Sequence, residues 1–275
     1  MKNIAQLRHL VARMEGKIIS PLVAHNDLNR ATKASTHADG SFCFGYKELD
    51  DATGPFSSYA LHEIMAAPTA MNVATGFSLG ILARSQTKKG FFIWLEDENV
   101  AFEYGMPYPS GIAAFGLEPT RFVFVRCKSA VDVLKASEDA LSEKGVAGVV
   151  ISLSGSSKAL DFTATRRLHL LAEKAHCPAI LLLAKKVLKT SNAATRWQIA
   201  AAPSQSFGAR APGLAAFDVT LLRNRAGNIG HWLMQWDFNE QIFKELQIQK
   251  TARASLFGTH FSSSANRPSQ SGFAA

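Results

Sequence analysis

Apolar and polar positions repeat with two different periods along this chain. Residues 3–15 place Ile4, Leu7, Leu10, Val11 and Met14 at three- and four-residue steps, with Gly16 after them, and so predict a short amphipathic helix. Its apolar stripe needs a partner, either its own domain or another protein. Residues 20–40 show no period and read as a linker. From residue 60 to residue 184 short apolar runs alternate with helix-period segments. The strands are predicted at 60–65 (ALHEIM), 91–95 (FFIWL), 121–126 (RFVFVR), 147–153 (AGVVISL) and 179–184 (AILLLA). The helices are predicted at 72–85, 110–115, 130–143 and from a cap at Asp161 or Thr163 to Lys174, while 99–109, with Gly105, Pro107 and Pro109, reads as a loop. Uninterrupted apolar strands in alternation with helices predict a parallel sheet buried on both faces.

The pattern changes after Lys185. Strands are predicted at 195–200, 217–222 and 232–236, with a hairpin turn at 224–228 between the last two, so that an antiparallel edge is added to the parallel sheet. The last thirty or so residues are rich in Ser, Gln, Arg and Ala and read as a disordered basic tail in which Leu256, Phe257, Phe261 and Phe273 stand out. The organisation expected is an N-terminal helix (1–17), a linker (18–41), one α/β core domain (42–245) and a tail (246–275).

Composition narrows the class. With 275 residues and 47% apolar content the chain can bury a sizeable core. Cys43, Cys127 and Cys177 are widely spaced and form no C-x-x-C pair, which points to a reducing cytoplasm rather than a disulfide or zinc framework. Charges interrupt the apolar residues of the N-terminus, so no signal peptide is expected, and no run reaches the roughly 20 apolar residues of a membrane span. The formal net charge is +8. Its distribution is uneven: between Lys185 and Trp236 only Asp218 offsets Lys185, Lys186, Lys189, Arg196, Arg210, Arg223 and Arg225, and no acid follows Glu245. Such a face suits nucleic acid or an acidic partner, or is simply solvated.

Catalytic motifs fail on context. Gly76-Phe77-Ser78-Leu79-Gly80 fits G-x-S-x-G, but a nucleophile elbow needs a strand immediately before it, and here the motif lies inside a predicted helix. His62-Glu63 has no second histidine four residues after the first, and His62 reads as a hydrogen-bonded strand residue. After the first strand of a nucleotide-binding α/β protein a phosphate loop needs glycines to let backbone amides wrap phosphate, and a lysine for the terminal phosphates. Residues 66–76 (AAPTAMNVATG) carry no lysine and a single glycine, at the end. The strand at 147–153 ends in Ser152 and Leu153, where a magnesium-holding aspartate would stand. ATPase activity and a nucleotide cofactor are not expected.

Several segments, in order, resemble the core of bacterial RecA, and more closely its degenerate relative, the inducible-mutagenesis protein A (ImuA) family. They are Phe44-Gly45 with Leu49-Asp50, Ala60-Leu61-His62-Glu63-Ile64, Ala74-Thr75-Gly76-Phe77, Gly116-Leu117-Glu118-Pro119-Thr120-Arg121, the run 160–168 and Thr195-Arg196-Trp197. The resemblance spans roughly residues 42–237. It implies a RecA-like, mostly parallel sheet flanked by helices, with antiparallel C-terminal edge strands. By comparison with RecA, Glu96 stands at the catalytic glutamate's place, and Arg223-Asn224-Arg225 resembles the segment whose two lysines reach a neighbouring subunit's nucleotide. Residues 185–194 stand where RecA has a DNA-binding loop. The implied role is that of a non-catalytic, cytoplasmic accessory protein, nucleoid-associated on damage, in SOS-induced mutagenesis and translesion synthesis. Its implied partners are an ImuB-type inactive Y-family polymerase, RecA and, indirectly, an error-prone DnaE-type polymerase. Lys185, Lys186, Lys189, Arg223 and Arg225 are the candidate partner- or DNA-binding residues. Leu7, Leu10, Val11, Met14, Leu256, Phe257 and Phe261 are candidate docking residues. The alternative function is single-stranded DNA binding without ATPase activity.

Overall fold

A computed structural model describes residues 40–85, 89–154, 157–184, 190–204 and 213–246. Its centre is a nine-stranded sheet built on β3 (Leu61–Ala66), β4 (Phe91–Asp97), β5 (Phe122–Cys127), β6 (Val146–Leu153), β7 (Ala179–Ala184) and β8 (Thr195–Ala201), all mutually parallel. β9 (Ala216–Asn224), β10 (Gly230–Asp237) and β11 (Ile242–Glu245) extend it by antiparallel pairing, giving the order β11-β10-β9-β8-β3-β7-β6-β4-β5. The short strands β1 (Ser41–Phe42) and β2 (Phe56–Ser57) form a separate antiparallel pair flanking α1 (Lys47–Thr53).

β3, β6 and β7 are buried along their whole length because helices cover both faces of the sheet there. One face packs α2 (Met71–Ser85), through Phe77, against Trp197, Phe217 and Phe243, and the other packs α5 (Ala130–Ser142) and α6 (Phe162–Ala175) against Val149, Ile151, Leu181 and Leu183. The helix starts are chemically fixed. Ser129 Oγ accepts the Asp132 amide at the start of α5, and Asp161 Oδ1 accepts the Ala164 amide at 2.8 Å at the start of α6, so Asp161 rather than Thr163 is the cap. Gly80 of α2 lies so close to the Phe243 ring that a Cβ there would come within 2.3 Å of it, and this contact locks β11 onto the helix.

Three departures from the sequence pattern are physical. The stretch read as a loop at 99–109 begins with a helix, α3 (Glu98–Tyr104): Asp97 caps it by accepting the Val100 amide at 2.9 Å, and Gly105 stops it at a φ of 72°. The glycine and prolines that mark a loop act only beyond Tyr104, where α4 (Pro109–Ala114) follows. β8 belongs to the parallel set through its pairing with β3, so the antiparallel edge begins only at β9. α1 and β11 have too few residues to show a period and form by packing. The G-x-S-x-G residues lie within α2; Ser78 is buried and its hydroxyl donates to the Ala74 carbonyl at 2.8 Å, as a helix residue does.

Candidate functional site

The carboxyl ends of β3, β4, β6 and β7 lie along one edge of the sheet, where an α/β protein of this topology places its ligands. After β3, Ala67 leads directly into a 3-10 turn at Pro68–Ala70, closed by the Ala70 amide donating to the Ala67 carbonyl at 2.8 Å, and α2 follows at once. No residue from 66 to 76 has a positive φ. A concave nest of amides for phosphate requires that left-handed geometry, and a lysine beside it. The Ala70 and Met71 amides are taken up by the Ala67 and Pro68 carbonyls, and Asn72 lies in the first turn of the helix.

The acids at this edge are also engaged. Glu96, at the end of β4 and 2% exposed, faces Arg126 Nη2 at 3.4 Å. Burial raises its carboxyl pKa, with Arg126 opposing. Asp97 is the α3 cap, and β6 ends in buried Ser152 and Leu153. Between α2 and the turn at 104–112 lies a cleft of about 230 Å³, and none of its lining residues is charged. Met106 and Tyr108 of its lining stand exposed, and Phe102 of α3 is 95% exposed.

At the amino edge of the same strands the chemistry is polar and closed. His62 is buried. Its Nε2–H donates to the Ser57 carbonyl at 2.9 Å, which leaves Nδ1 to accept the Thr195 hydroxyl at 2.8 Å; Thr195 Oγ1 in turn accepts Trp197 Nε1–H at 2.7 Å. Burial holds the imidazole pKa down to about 4, so it is neutral, as a hydrogen-bonded strand histidine should be. Glu63, fully buried, meets Arg196 at two contacts of 3.3 Å. Arg223 Nη1 donates to the Ser191 carbonyl at 2.6 Å and Arg225 Nη2 to Asn192 Oδ1. Burial lowers the Arg223 pKa, with Arg225 and Arg196 adding repulsion and Glu63 opposing.

The structure therefore groups Arg223 and Arg225 with Arg196, Glu63 and residues 191–192. Lys185, Lys186 and Lys189 lie outside the described residues. They follow Ala184, which is level with Ala66 and Ile199 at the carboxyl edge, three residues or about 10 Å along the strands from Arg196. Leu7, Leu10, Val11 and Met14, and Leu256, Phe257 and Phe261, also lie outside the described residues. The pattern gave no sign of the Glu63–Arg196 pair, because the two side chains are 133 positions apart. It also passed over Phe102, Met106 and Tyr108; the acid run at 96–98 and 103 beside three large apolar residues was the available signal.

The strand order and the rebuilt loop after β3 define a RecA-like α/β protein whose phosphate-loop position is occupied by a 3-10 turn. No family model matches the chain. It is 30% identical over 201 residues to Protein ImuA of Caulobacter vibrioides, in both strain NA1000 / CB15N and strain ATCC 19089 / CIP 103742 / CB 15, covering 68% of this chain and 70% of that protein. The chain belongs to the ImuA family.

Proposed function

We propose that the protein is a non-catalytic RecA-like accessory protein of DNA-damage-induced mutagenesis and translesion synthesis, acting by binding an ImuB-type polymerase relative, RecA or both. Family membership supports a part in the mutagenesis pathway. The observation that carries the non-catalytic half is the 3-10 turn after β3: without glycine, lysine or positive-φ backbone, it offers no amide nest for a triphosphate. The neighbouring cleft, uncharged throughout its lining, supports the same reading. What remains is a broad folded surface, and binding is the use open to it.

The full chain is co-purified with its organism's RecA and ImuB-type protein, and titrated with ATP by calorimetry. Capture of either partner with no ATP-dependent heat is the expected outcome. Tight, steeply salt-dependent binding of single-stranded DNA with neither protein captured would replace this reading by the DNA-binding one. A clear heat on ATP addition would refute the non-catalytic half.

A further inference from the structure

The cleft between α2 and the 104–112 turn differs from the rest of the surface in two ways. Its lining, which includes Asn72, Thr75, Leu79, Met106, Tyr108 and Phe115, carries no charge. Beside it α3 is acidic: Glu98 and Glu103 are exposed, and residues 98–114 contain no lysine or arginine, while Met106 and Tyr108 of the lining are themselves exposed. In a chain of net charge +8 this is an acidic island. Large apolar side chains held out at a concave surface are the composition of a docking site, because their burial against a partner recovers the free energy lost by exposure.

The complementary chemistry is in the same chain. Residues 246–275 contain Lys250, Arg253 and Arg267 and no acid, with Leu256, Phe257 and Phe261 spaced between them. That segment also starts close by. The Leu246 amide donates to the Leu233 carbonyl, which places Leu246 three residues, about 10 Å, along β10 from Trp236. The Trp236 ring packs on Phe115 of the cleft wall at 5.1 Å between centroids. Ten extended residues from Leu246 reach about 33 Å, which exceeds that separation. The other end of the described chain enters at Gly40, packed on Tyr59 at the amino edge of β3, the opposite edge of the sheet from the cleft.

We propose that this cleft is the docking site of the chain's own tail, residues 250–261, bound in cis. Phe257 or Phe261 seats in the uncharged groove against Met106 and Tyr108, while Lys250 and Arg253 meet Glu98 and Glu103. A short tether gives the segment a high effective concentration, so that the cis contact prevails over one between copies at micromolar protein. The inference is independent of the partners proposed above.

The test uses the full chain with p-benzoylphenylalanine in place of Phe257, irradiated at micromolar concentration and mapped by mass spectrometry. The expected product has monomer mass and joins position 257 to residues 98–115. Tyr108→Ser, at a cleft side chain that is largely exposed, lowers its yield by roughly fivefold or more, as does Arg253→Glu, and 0.5 M salt lowers it as well. Cross-links scattered over the surface, cross-links confined to dimers, a product joined elsewhere, or a yield unchanged by Tyr108→Ser would each overturn the proposal.

Discussion

The two edges of the central sheet have met opposite fates. At the carboxyl edge, the turn after β3 closes on itself, Glu96 faces Arg126 at a long 3.4 Å, and the adjoining cleft has no charged lining residue. At the amino edge, hydrogen bonds join His62, Thr195 and Trp197, buried Glu63 is paired with Arg196 at 3.3 Å, and Arg223 donates to the Ser191 carbonyl. Polar residues at the amino edge of this fold are therefore structural. Charges at the amino edge hold β3, β8 and β9 together, so the arginines that look most like a ligand-binding pair are tied to the chain's own carbonyls and amides. The carboxyl edge, which carries ligands in this topology, is the tolerant one.

Four measurements test that contrast. The largest effect belongs to Glu63→Ala, which leaves Arg196 in a nearly closed site without its counter-charge and should cost about 3–5 kcal/mol in urea unfolding. The paired change Glu63→Leu with Arg196→Met should recover most of that loss. Next comes His62. Its folded pKa of about 4 lies below the ordinary 6.5, so the unfolded chain takes up the proton first. The stability this group contributes is complete above pH 6.5 and is lost as pH falls toward 4, by about 3 kcal/mol. His169, also lowered by burial, adds to the loss in the same direction. The difference between wild type and His62→Phe across that range isolates the His62 contribution; equal slopes would show that the histidine is not held neutral.

Arg223→Ala removes a charged hydrogen bond to the Ser191 carbonyl and should cost about 2 kcal/mol, whereas Arg225→Ala, at an exposed contact, should cost under about 1 kcal/mol. The smallest effect is expected at the carboxyl edge. Glu96→Gln should change stability by no more than about 1 kcal/mol of either sign, because burial already disfavours the carboxylate and its one ion pair is long. The raised pKa means that Glu96 opposes folding as pH rises through its titration, and the glutamine variant should lack that component. If Glu96→Gln proved more damaging than Arg223→Ala, the contrast between the two edges would fail.

The order of residues alone encodes the alternation that makes a parallel sheet, since five apolar runs and the helices between them are local patterns read over a few residues. It also determined that residues 66–76 lack the glycines and lysine of a phosphate loop, which is a matter of residue identity alone. Tertiary structure decided the rest. α3 hid behind Gly105 and the prolines because its cap, Asp97, belongs to the preceding strand. The direction of β8 was set by its pairing with β3 across more than a hundred positions, which no local period encodes. Glu63 and Arg196 meet for the same reason, and Arg223 and Arg225 face residues 191–192 because β8 and β9 are adjacent. Local periodicity reports how a segment partitions between water and core. Which buried charge finds which partner is fixed only when the strands are ordered, because that choice depends on contacts between segments far apart in the chain.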